Sequence, residues 1–354
     1  MRSEKVKILF IQNILAHYRI PLYNYLQETY ADITVLHSGE VVSNDLKFKE
    51  VILESKSYKG FYYNFGFYKK LKEYDYVVGM YDLRWLNIWL IPFVRPSVKF
   101  VFWGIGVSTE KGFDSDTSKD KYRFLIGKKA DAMVFYSEYP IQKYINAGFD
   151  KRKLFVAHNT IHSTNKFNLE NRTYSKFLFI GSITHRKKII ELIEIFKSIL
   201  SKIPKHITLE IVGDGPFKEF VSTYLDQEEL SSRVIVKPGF YGSDKTSIFT
   251  DAIATISLGQ AGLSVLESFA YGVPFITYGN AITGGERLNI VNGCNGFLIN
   301  DDNQLIDIMI KMANANFDLR LLSLKSREYY QTKRKIANMG DGFIKAFEYL
   351  REDS

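Results

Sequence analysis

The stretch Leu258-Gly-Gln-Ala-Gly-Leu-Ser-Val-Leu-Glu-Ser-Phe-Ala-Tyr-Gly-Val-Pro-Phe-Ile-Thr277 decides the fold. It predicts an apolar strand over residues 254–258, a glycine-bearing turn, a helix from about Leu263 to Tyr271 and a second buried strand after Pro274. In a parallel α/β sheet this turn lies at the carboxyl edge, where ligands bind and backbone N–H groups favour anions. Glu267, about one helical turn further on, can accept hydrogen bonds from a vicinal diol, although the pattern alone fits a solvent-facing Glu267 at least as well.

Apolar strands and amphipathic helices alternate along the chain, which predicts parallel sheets with helices on both faces. The predicted strands lie at residues 6–11, 33–36, 51–53, 76–79, 98–103, 133–137 and 154–157 in the first half, and at 177–180, 208–212, 234–237, 254–258 and 275–277 in the second. The segment 163–175 is polar and aperiodic, so we interpret it as a linker. Two such halves predict a small-molecule site in a cleft between them.

A length of 354 residues suits two domains of ordinary size. We predict an N-terminal Rossmann-like domain over residues 1–165 and a C-terminal Rossmann-like domain over residues 174–330. Residues 331–354 form a further segment, in which Phe343, Ile344, Phe347 and Leu350 have helical spacing.

The composition excludes several classes of protein. A hydrophobic content of 46% with 24% charged residues excludes wholesale disorder. The single cysteine, Cys294, excludes an intrachain disulfide and a cysteine-based zinc site. The first residues lack the apolar core of a signal peptide, and the apolar region 85–103 is interrupted by an asparagine, two prolines and two charged residues, so it predicts no spanning helix. We therefore expect a cytoplasmic protein.

The charge balance indicates what kind of partner the chain binds. A formal net charge of +8 favours anionic partners such as nucleotides, phosphorylated acceptors or anionic lipid, but charge alone does not choose among them. We do not expect nucleic acid as a partner, because the chain contains no known reader motif and its aromatic residues follow core periodicity.

Two further turns follow predicted strands of the second half. In Gly181-Ser-Ile-Thr-His-Arg-Lys-Lys188, the arginine fork of Arg186 and the point charge of Lys187 match phosphate oxygens, although a solvated basic loop is equally compatible. Gly213-Asp-Gly-Pro216 is a tight strand-to-helix turn that needs no ligand to explain it.

Two glycine-rich segments come later in the second half. They are Thr283-Gly-Gly-Glu286 and Asn292-Gly-Cys-Asn-Gly-Phe297. Glycines there let backbone N–H groups approach an anionic ligand closely. Glu286 either orients a sugar hydroxyl or only caps the next turn.

In their order, these motifs resemble the donor half of family 4 glycosyltransferases, which are retaining, metal-independent enzymes of the GT-B fold. The resemblance covers residues 176–300, through Gly-Ser-x-x-x-Arg-Lys, Val-Gly-Asp-Gly-Pro, Gly-Leu-Ser-Val-Leu-Glu-Ser-Phe-Ala-Tyr-Gly-Val-Pro and Asn-Gly-x-Asn-Gly-Phe-Leu. The first half resembles the family more loosely, through Ile11-Gln-Asn, His17-Tyr-Arg-Ile-Pro and Phe102-Trp-Gly-Ile-Gly. The resemblance implies an α/β fold of two Rossmann-like domains that face across a cleft, with a C-terminal helix that crosses back to the first domain.

The resemblance also implies roles for individual residues. Arg186 and Lys187 would neutralise the donor diphosphate and, with His17, are the candidate catalytic residues, while Glu267 would bind the nucleotide ribose. The remaining candidate donor-binding residues are Gly181, Ser182, Gly213, Gly262, Leu263, Gly285 and Glu286, and those expected on the acceptor side are Arg19 and Trp103.

Three positions depart from the family pattern. Many members carry a glutamate that contacts the transferred sugar where this chain has Gly259, although some branches have a Gly-x-x-Gly-Leu loop there instead. Ser182 stands where an arginine is often found, and Ile105 where a histidine is often found. These departures keep two alternatives open: a catalytically silent nucleotide-sugar-binding protein and, less favoured, a sugar-nucleotide epimerase.

The resemblance thus implies a retaining glycosyltransferase that moves a sugar from a nucleotide diphosphate sugar, UDP- or GDP-linked, to an acceptor hydroxyl in cell-surface polysaccharide synthesis. It implies no metal ion and no cofactor, and we expect a glycan or lipid-linked glycan as the acceptor. The apolar segment Trp85–Phe93 and a basic cluster suit contact with an anionic membrane from the cytoplasmic side, although a buried crossover helix explains the apolar segment as well. The cluster consists of Lys119, Lys121, Arg123, Lys128 and Lys129.

Overall fold

Two separate parallel sheets organise the computed structural model, which describes residues 5–41, 46–64, 66–94, 98–107, 118–163, 169, 172–240 and 245–352. The chain divides into two units. Unit 1 consists of Met1–His162 together with Lys335–Ser354, and unit 2 of Ser163–Arg334. Most of the predicted linker lies outside the described residues.

The central strands of the unit 1 sheet have side chains buried on both faces. In chain order its strands are β1 (Lys7–Ile11), β2 (Asp32–His37), β3 (Lys49–Ile52), a separate short hairpin of β4 (Lys56–Tyr58) and β5 (Phe61–Tyr63), then β6 (Tyr76–Met80), β7 (Lys99–Gly104), β8 (Ala132–Phe135) and β9 (Leu154–Val156). The strand order is β3-β2-β1-β6-β7-β8-β9, and neighbours pair in parallel. The sequence did not predict the hairpin, because its strands are short and largely exposed.

Helices cover both faces of this sheet. Those that follow strands of unit 1 are α1 (Ile20–Thr29), α2 (Leu86–Val94), α3 (Ser118–Gly127) and α4 (Ile141–Asn146). Alternate residues of β1 point to opposite faces: Phe10 packs in a core that includes α1, and Leu9 in a second core that includes α2, α3 and α4. A short 3-10 turn, His17–Arg19, precedes α1.

The sheet of unit 2 has the same plan. Its strands are β10 (Lys176–Ile180), β11 (Thr208–Val212), β12 (Val234–Lys237), β13 (Ala252–Ile256), β15 (Phe275–Tyr278) and β17 (Gly296–Ile299), with a small separate pair, β14 (Gln260–Ala261) and β16 (Ile282–Thr283). The order is β12-β11-β10-β13-β15-β17, with parallel pairing throughout the described residues. Strand β13 begins and ends two residues before the predicted strand 254–258.

The helices of unit 2 bury amphipathic faces against this sheet. They are α5 (Ile189–Ile199), α6 (Lys218–Gln227), α7 (Thr246–Phe249), α8 (Ser264–Ala270), α9 (Asp302–Ala313) and α10 (Leu319–Lys333). Helix α5 carries Leu192, Ile193 and Phe196 into the core, as its spacing predicts, and a 3-10 turn, Leu200–Lys202, continues it. Helix α8 is the helix of the deciding stretch, and it ends before Gly272, whose φ is +67°.

The last helix, α11 (Ile336–Glu352), follows unit 2 in the chain but packs in unit 1. Its Phe343 is fully buried, with its ring centroid 5.5 Å from that of Phe10 and 5.0 Å from that of Trp103. Phe347 stacks on Tyr76. The helical spacing of its apolar residues thus serves the core of unit 1.

In both sheets the strand order reverses beside the first strand of the unit, between β1 and β6 and between β10 and β13. Open α/β sheets bind ligands at the carboxyl edge beside such a reversal. This places the candidate loops of both halves at the edges where a ligand is expected. Among the described helices, none is both long enough and apolar enough to cross a membrane.

Candidate functional site

A pocket of about 360 Å³ lies at the carboxyl edge of the unit 2 sheet. Residues that follow β10, β11 and β12 form one side of it, and the start of α8 forms the other. Its lining residues are Ile180, Gly181, Ser182, Lys187, Val212, Gly213, Asp214, Gly239, Phe240, Lys245, Gly262, Leu263, Ser264 and Glu267. The structure therefore brings together Gly181, Ser182, Lys187, Gly213, Gly262, Leu263 and Glu267 from the residues that the sequence singles out.

Gly213 allows the turn after β11 to pack closely against the turn after β10, and both turns line the pocket. A Cβ atom at this position would lie 1.9 Å from the carbonyl oxygen of Gly181, which no side chain can tolerate. The contact continues through the Ile183 N–H, which donates to the carbonyl of Asp214 at 2.9 Å. The Gly-Asp-Gly-Pro turn thus has a packing reason for its first glycine, and it also fixes the floor of the pocket.

Glu267 points its carboxylate into the pocket from the fourth residue of α8. Lys245 Nζ lies 2.5 Å from Glu267 Oε1, and both side chains are about four-fifths buried. The ion pair holds a charged carboxylate in a fixed place inside a partly desolvated site, where hydrogen bonds to a charged group are strong. Sequence reasoning missed Lys245, because it lies 22 residues before Glu267 and belongs to no motif.

Lys187 enters the same pocket from a 3-10 turn, His185–Lys187. Its half-buried ammonium group donates to the carbonyl oxygen of Gln260 at 3.3 Å. Burial, reinforced by the neighbouring Arg186 charge, lowers the pKa of Lys187 to about 8, against an opposing effect of Glu286. Water solvates this cation poorly. A phosphate oxygen in the pocket could therefore pair with it at little further cost of desolvation.

Arg186 does not line this pocket. Its exposed side chain lines a second cavity of about 350 Å³, together with Lys188, Glu191, Gly259 and Asn280. The two cations are adjacent in sequence, but successive residues of a tight turn point in different directions. The structure therefore separates Arg186 from Lys187, which the sequence placed on one diphosphate.

Gly259 packs against the backbone of the same turn. A Cβ atom at this position would lie 1.9 Å from the carbonyl oxygen of Arg186. Its own N–H points at the carbonyl of Lys187 from 3.4 Å. This backbone leaves no room for the glutamate that many family members carry here, so the departure at Gly259 is built into the local packing.

The Thr283–Glu286 loop lies beside the pocket and does not line it. Glu286 is buried, and its Oε2 accepts hydrogen bonds from the Gly284 N–H at 2.8 Å and from Thr283 Oγ1 at 3.3 Å. Gly285, with φ of +117°, supplies the left-handed turn before it. In this geometry Glu286 holds its own loop together, and its charge acts on Lys187.

The first-half candidates occupy the carboxyl edge of unit 1. Arg19 is buried, its guanidinium donates to Gln12 Oε1 at 3.1 Å and to the hydroxyl of Tyr136, and its Cζ lies 4.3 Å from the ring centroid of Trp103. Trp103 is itself buried, whereas His17 is exposed. Only His17 of these three presents its side chain to solvent.

Comparison with known proteins supports the motif assignment. Residues 162–321 match the family model for glycosyl transferases group 1. No curated protein sequence matches the chain.

Three solved structures illustrate the likeness of the fold. The apo form of a lipopolysaccharide outer core galactosyltransferase, WaaB, has a TM-score of 0.68 and 17% identity, with 97% of this chain and 99% of that chain covered. The complex of Anabaena HepE with UDP has a TM-score of 0.70 and 12% identity over 97% and 99% of the chains. A sucrose-phosphate synthase from Thermosynechococcus elongatus has a TM-score of 0.69 and 14% identity over 99% and 100%.

These matches extend over nearly the whole of both chains. At such low identity they show the shared fold, and they confirm the prediction of the GT-B architecture with two Rossmann-like α/β units. The family match covers less than half of the chain, and it coincides with the part of the second half whose sequence motifs resemble glycosyltransferases.

Proposed function

We propose that this chain, whose residues 162–321 match the family model for glycosyl transferases group 1, transfers a sugar from a nucleotide diphosphate sugar to an acceptor hydroxyl with retention at the anomeric carbon. The observation that carries the proposal is one pocket that holds both a fixed carboxylate, Glu267, and a partly desolvated cation, Lys187. A nucleotide diphosphate needs both groups, one for its ribose and one for its phosphates.

The pocket contacts suggest how the donor binds. The Glu267 carboxylate accepts hydrogen bonds from the two ribose hydroxyls, and the ion pair with Lys245 holds that carboxylate in place. Lys187 pairs with the diphosphate, and the backbone of Gly262–Ser264 approaches the phosphates from the other wall. UDP or GDP is the expected nucleotide, and HepE, whose fold this chain shares, was solved with UDP.

Lys187 also carries the main electrostatic contribution in the proposed mechanism. As the bond between the sugar and the diphosphate breaks, negative charge accumulates on the leaving phosphate oxygen. A preorganised cation and backbone N–H groups stabilise that charge, which is the largest kind of catalytic effect. The departing oxygen takes the acceptor proton on the same face of the sugar, so no strong general base and no metal ion is invoked.

The acceptor side of the proposal rests on unit 1. His17 is the exposed candidate for contact with the acceptor. Arg19, two residues further along the chain, is buried against Trp103 and donates to Gln12, which anchors the turn that carries His17. A glycan or lipid-linked glycan of a cell-surface polysaccharide is the proposed acceptor, handled on the cytoplasmic side.

A catalytically silent nucleotide-sugar binder is the second candidate, and the packing of Gly259 favours it. The site has no side chain at the position where many family members contact the transferred sugar. Such a binder would bind the nucleotide through Glu267 and Lys187 as the enzyme does. It would release no nucleoside diphosphate in the presence of an acceptor extract, whereas the proposed transferase would.

The first test is thermal unfolding of the purified protein with a panel of UDP-, GDP-, dTDP- and CMP-sugars. A ligand at about 100 times its dissociation constant stabilises the folded state by about 2.7 kcal/mol, which raises the unfolding temperature by several degrees. We expect one nucleotide class to do so. No shift with any member of the panel would contradict the proposed donor site.

The Glu267→Ala variant locates the binding. Loss of hydrogen bonds to a charged group costs about 1.5–3 kcal/mol, so we expect the nucleotide affinity to fall by roughly 10- to 150-fold. Glu191→Ala is the matched control, because that carboxylate lines the neighbouring cavity and not the pocket. Equal affinity of the Glu267→Ala variant and the control would remove Glu267 from the site.

A further inference from the structure

Unit 1 exposes large apolar side chains on two neighbouring helices, α2 and α3. Helix α2 buries Ile88 and Ile91 but leaves Leu90, Phe93 and Val94 exposed by 42%, 54% and 56%. The apolar segment is therefore not the fully buried crossover helix that would have explained its composition. Its outward side is apolar and reaches solvent.

Helix α3 also exposes large apolar side chains. Its Ile126 packs in the core, while Tyr122 and Leu125 point outward with 67% and 63% of their surface exposed. These two residues are three apart, so they lie on one side of the helix. An outward apolar side is unusual for a surface helix, whose exposed residues are normally polar.

The two exposed sides belong to one surface. Helix α2 connects β6 to β7 and α3 precedes β8, and both contribute to the same hydrophobic core on one face of the sheet. Helices in such connections run opposite to the strands, so the carboxyl ends of α2 and α3 both lie at the amino edge of the sheet. Phe93 and Val94 at the end of α2 therefore lie at the same level as Leu125 in the second half of α3.

Lysines surround the apolar residues of α3. Lys119, Lys121, Lys128 and Lys129 are exposed, and no ion pair to a carboxylate is found for them in the part of the chain that the structure describes. The carboxylate of Asp120 turns inward, where it pairs with Arg123 and with Lys143 at 2.9 Å. Arg123 is thus buried and leaves the predicted basic cluster, while the four lysines keep their charge at the surface.

We propose that this surface docks on an anionic lipid bilayer. The docking face consists of Leu90, Phe93, Val94, Tyr122 and Leu125 with Lys119, Lys121, Lys128 and Lys129. The apolar side chains enter the boundary between headgroups and acyl chains, and the lysines pair with anionic headgroups. Apolar insertion alone or electrostatic attraction alone gives only weak binding, and the docking face provides both.

The charge pattern disfavours two other occupants. A second copy of the chain would meet this face symmetrically and bring lysines against lysines, because the described residues of α2 and α3 offer no exposed carboxylate. A nucleic acid would neutralise the lysines but gain little from exposed leucine, phenylalanine and valine side chains. An anionic bilayer offers charged headgroups to the lysines and an acyl-chain boundary to the apolar side chains.

The test is co-sedimentation of the full chain with vesicles, without nucleotide or sugar, so that it is independent of the donor site. We expect binding to phosphatidylcholine vesicles that contain phosphatidylglycerol, weakening with added salt, and little binding to phosphatidylcholine alone. Equal binding to both vesicles, or no binding to either, would overturn the proposal. So would self-association of the chain through this face, or capture of an oligonucleotide without capture of vesicles.

Paired variants separate charge from apolar contact. Each lysine near an anionic surface contributes roughly fivefold to partitioning, so Lys128→Gln with Lys129→Gln should weaken binding about 25-fold. Phe93→Ser with Leu125→Ser should weaken it about tenfold or more.

The matched controls lie at exposed positions of unit 2. They are Lys202→Gln with Lys205→Gln, and Leu321→Ser with Leu324→Ser. Since all these side chains are exposed, thermal unfolding should stay unchanged, and a docking-face pair that binds like its control would overturn the proposal.

Discussion

Lys187 shows how one residue acquires a property that its type does not have. The side chain is half-buried, feels the Arg186 charge and donates a hydrogen bond to the carbonyl of Gln260. Its pKa of about 8 lies close to physiological pH. A lysine in this state is sensitive to pH in a range where an exposed lysine is not.

The first prediction follows from this pKa. Lys187 carries its charge below about pH 8 and loses it above, so the affinity for a nucleoside diphosphate should fall as the pH rises beyond 8, approaching tenfold per pH unit. Titration calorimetry between about pH 7 and pH 9.5 measures this, because the terminal phosphate, whose pKa is near 6, is about nine-tenths ionised at pH 7 and changes little above it.

Lys187→Arg is the matched control for this titration. An arginine stays charged over the whole range, so the decline with pH should disappear in this variant. Lys187→Met should bind more weakly at every pH and should also show no decline. If the arginine variant declined with pH as the wild type does, another group would be responsible.

At the scale of elements, the turn His185–Lys187 and the loop after β13 are fitted to each other. Gly259 lies against the carbonyl of Arg186, and Lys187 reaches the carbonyl of Gln260 in the same loop. The loop in turn leads into α8, which carries Glu267. These two contacts between the turn and the loop thus set the relative positions of the cation and the carboxylate of the pocket.

The Gly259→Ala variant tests this coupling. The new methyl group must displace the carbonyl of Arg186, so we expect a loss of roughly 1–3 kcal/mol of folding stability together with weaker nucleotide binding. Gly262→Ala is the matched control for stability, since a Cβ atom there meets nothing within 4 Å. Denaturant unfolding of both variants measures the difference, and equal midpoints would contradict the packing described.

At the scale of the whole molecule, the two units do not simply follow one another along the chain, because unit 1 contains segments from both ends of it. Unit 1 needs α11 from the end of the chain, because Phe343 and Phe347 fill its core. Unit 2 has a separate core of its own. Each unit therefore has an independent source of stability, and only unit 2 holds the candidate donor pocket.

Scanning calorimetry should accordingly resolve two transitions. A nucleoside diphosphate should raise the transition of unit 2 and leave that of unit 1 in place. Phe343→Ala removes a fully buried ring, which costs about 3–5 kcal/mol, and should lower the transition of unit 1 by on the order of 10 °C.

Lys345→Ala is the control for the calorimetric experiment, since this exposed side chain lies on the same helix. It should move neither transition. A single transition that shifts as a whole with both nucleotide and Phe343→Ala would show that the units unfold together, contrary to this expectation.

The sequence by itself determined the architecture and the edge at which the site lies. Alternating apolar strands and amphipathic helices require parallel sheets, since no other layering buries them all. The glycine turns after β10, β11 and β13 mark the carboxyl edge of the second sheet, and local spacing placed Glu267 one turn into α8. These features depend on residues close together in the chain, which is why a linear pattern reveals them.

Only the tertiary structure decided which of the candidate side chains meet. It paired Glu267 with Lys245, turned Arg186 away from the pocket that Lys187 enters, and buried Arg19 against Trp103. It also exposed the outward side of α2, whose composition had suggested either a membrane contact or complete burial. How separate elements pack decides where a side chain in a turn points and which residues of other loops it contacts. The spacing of residues along the sequence does not predict this packing.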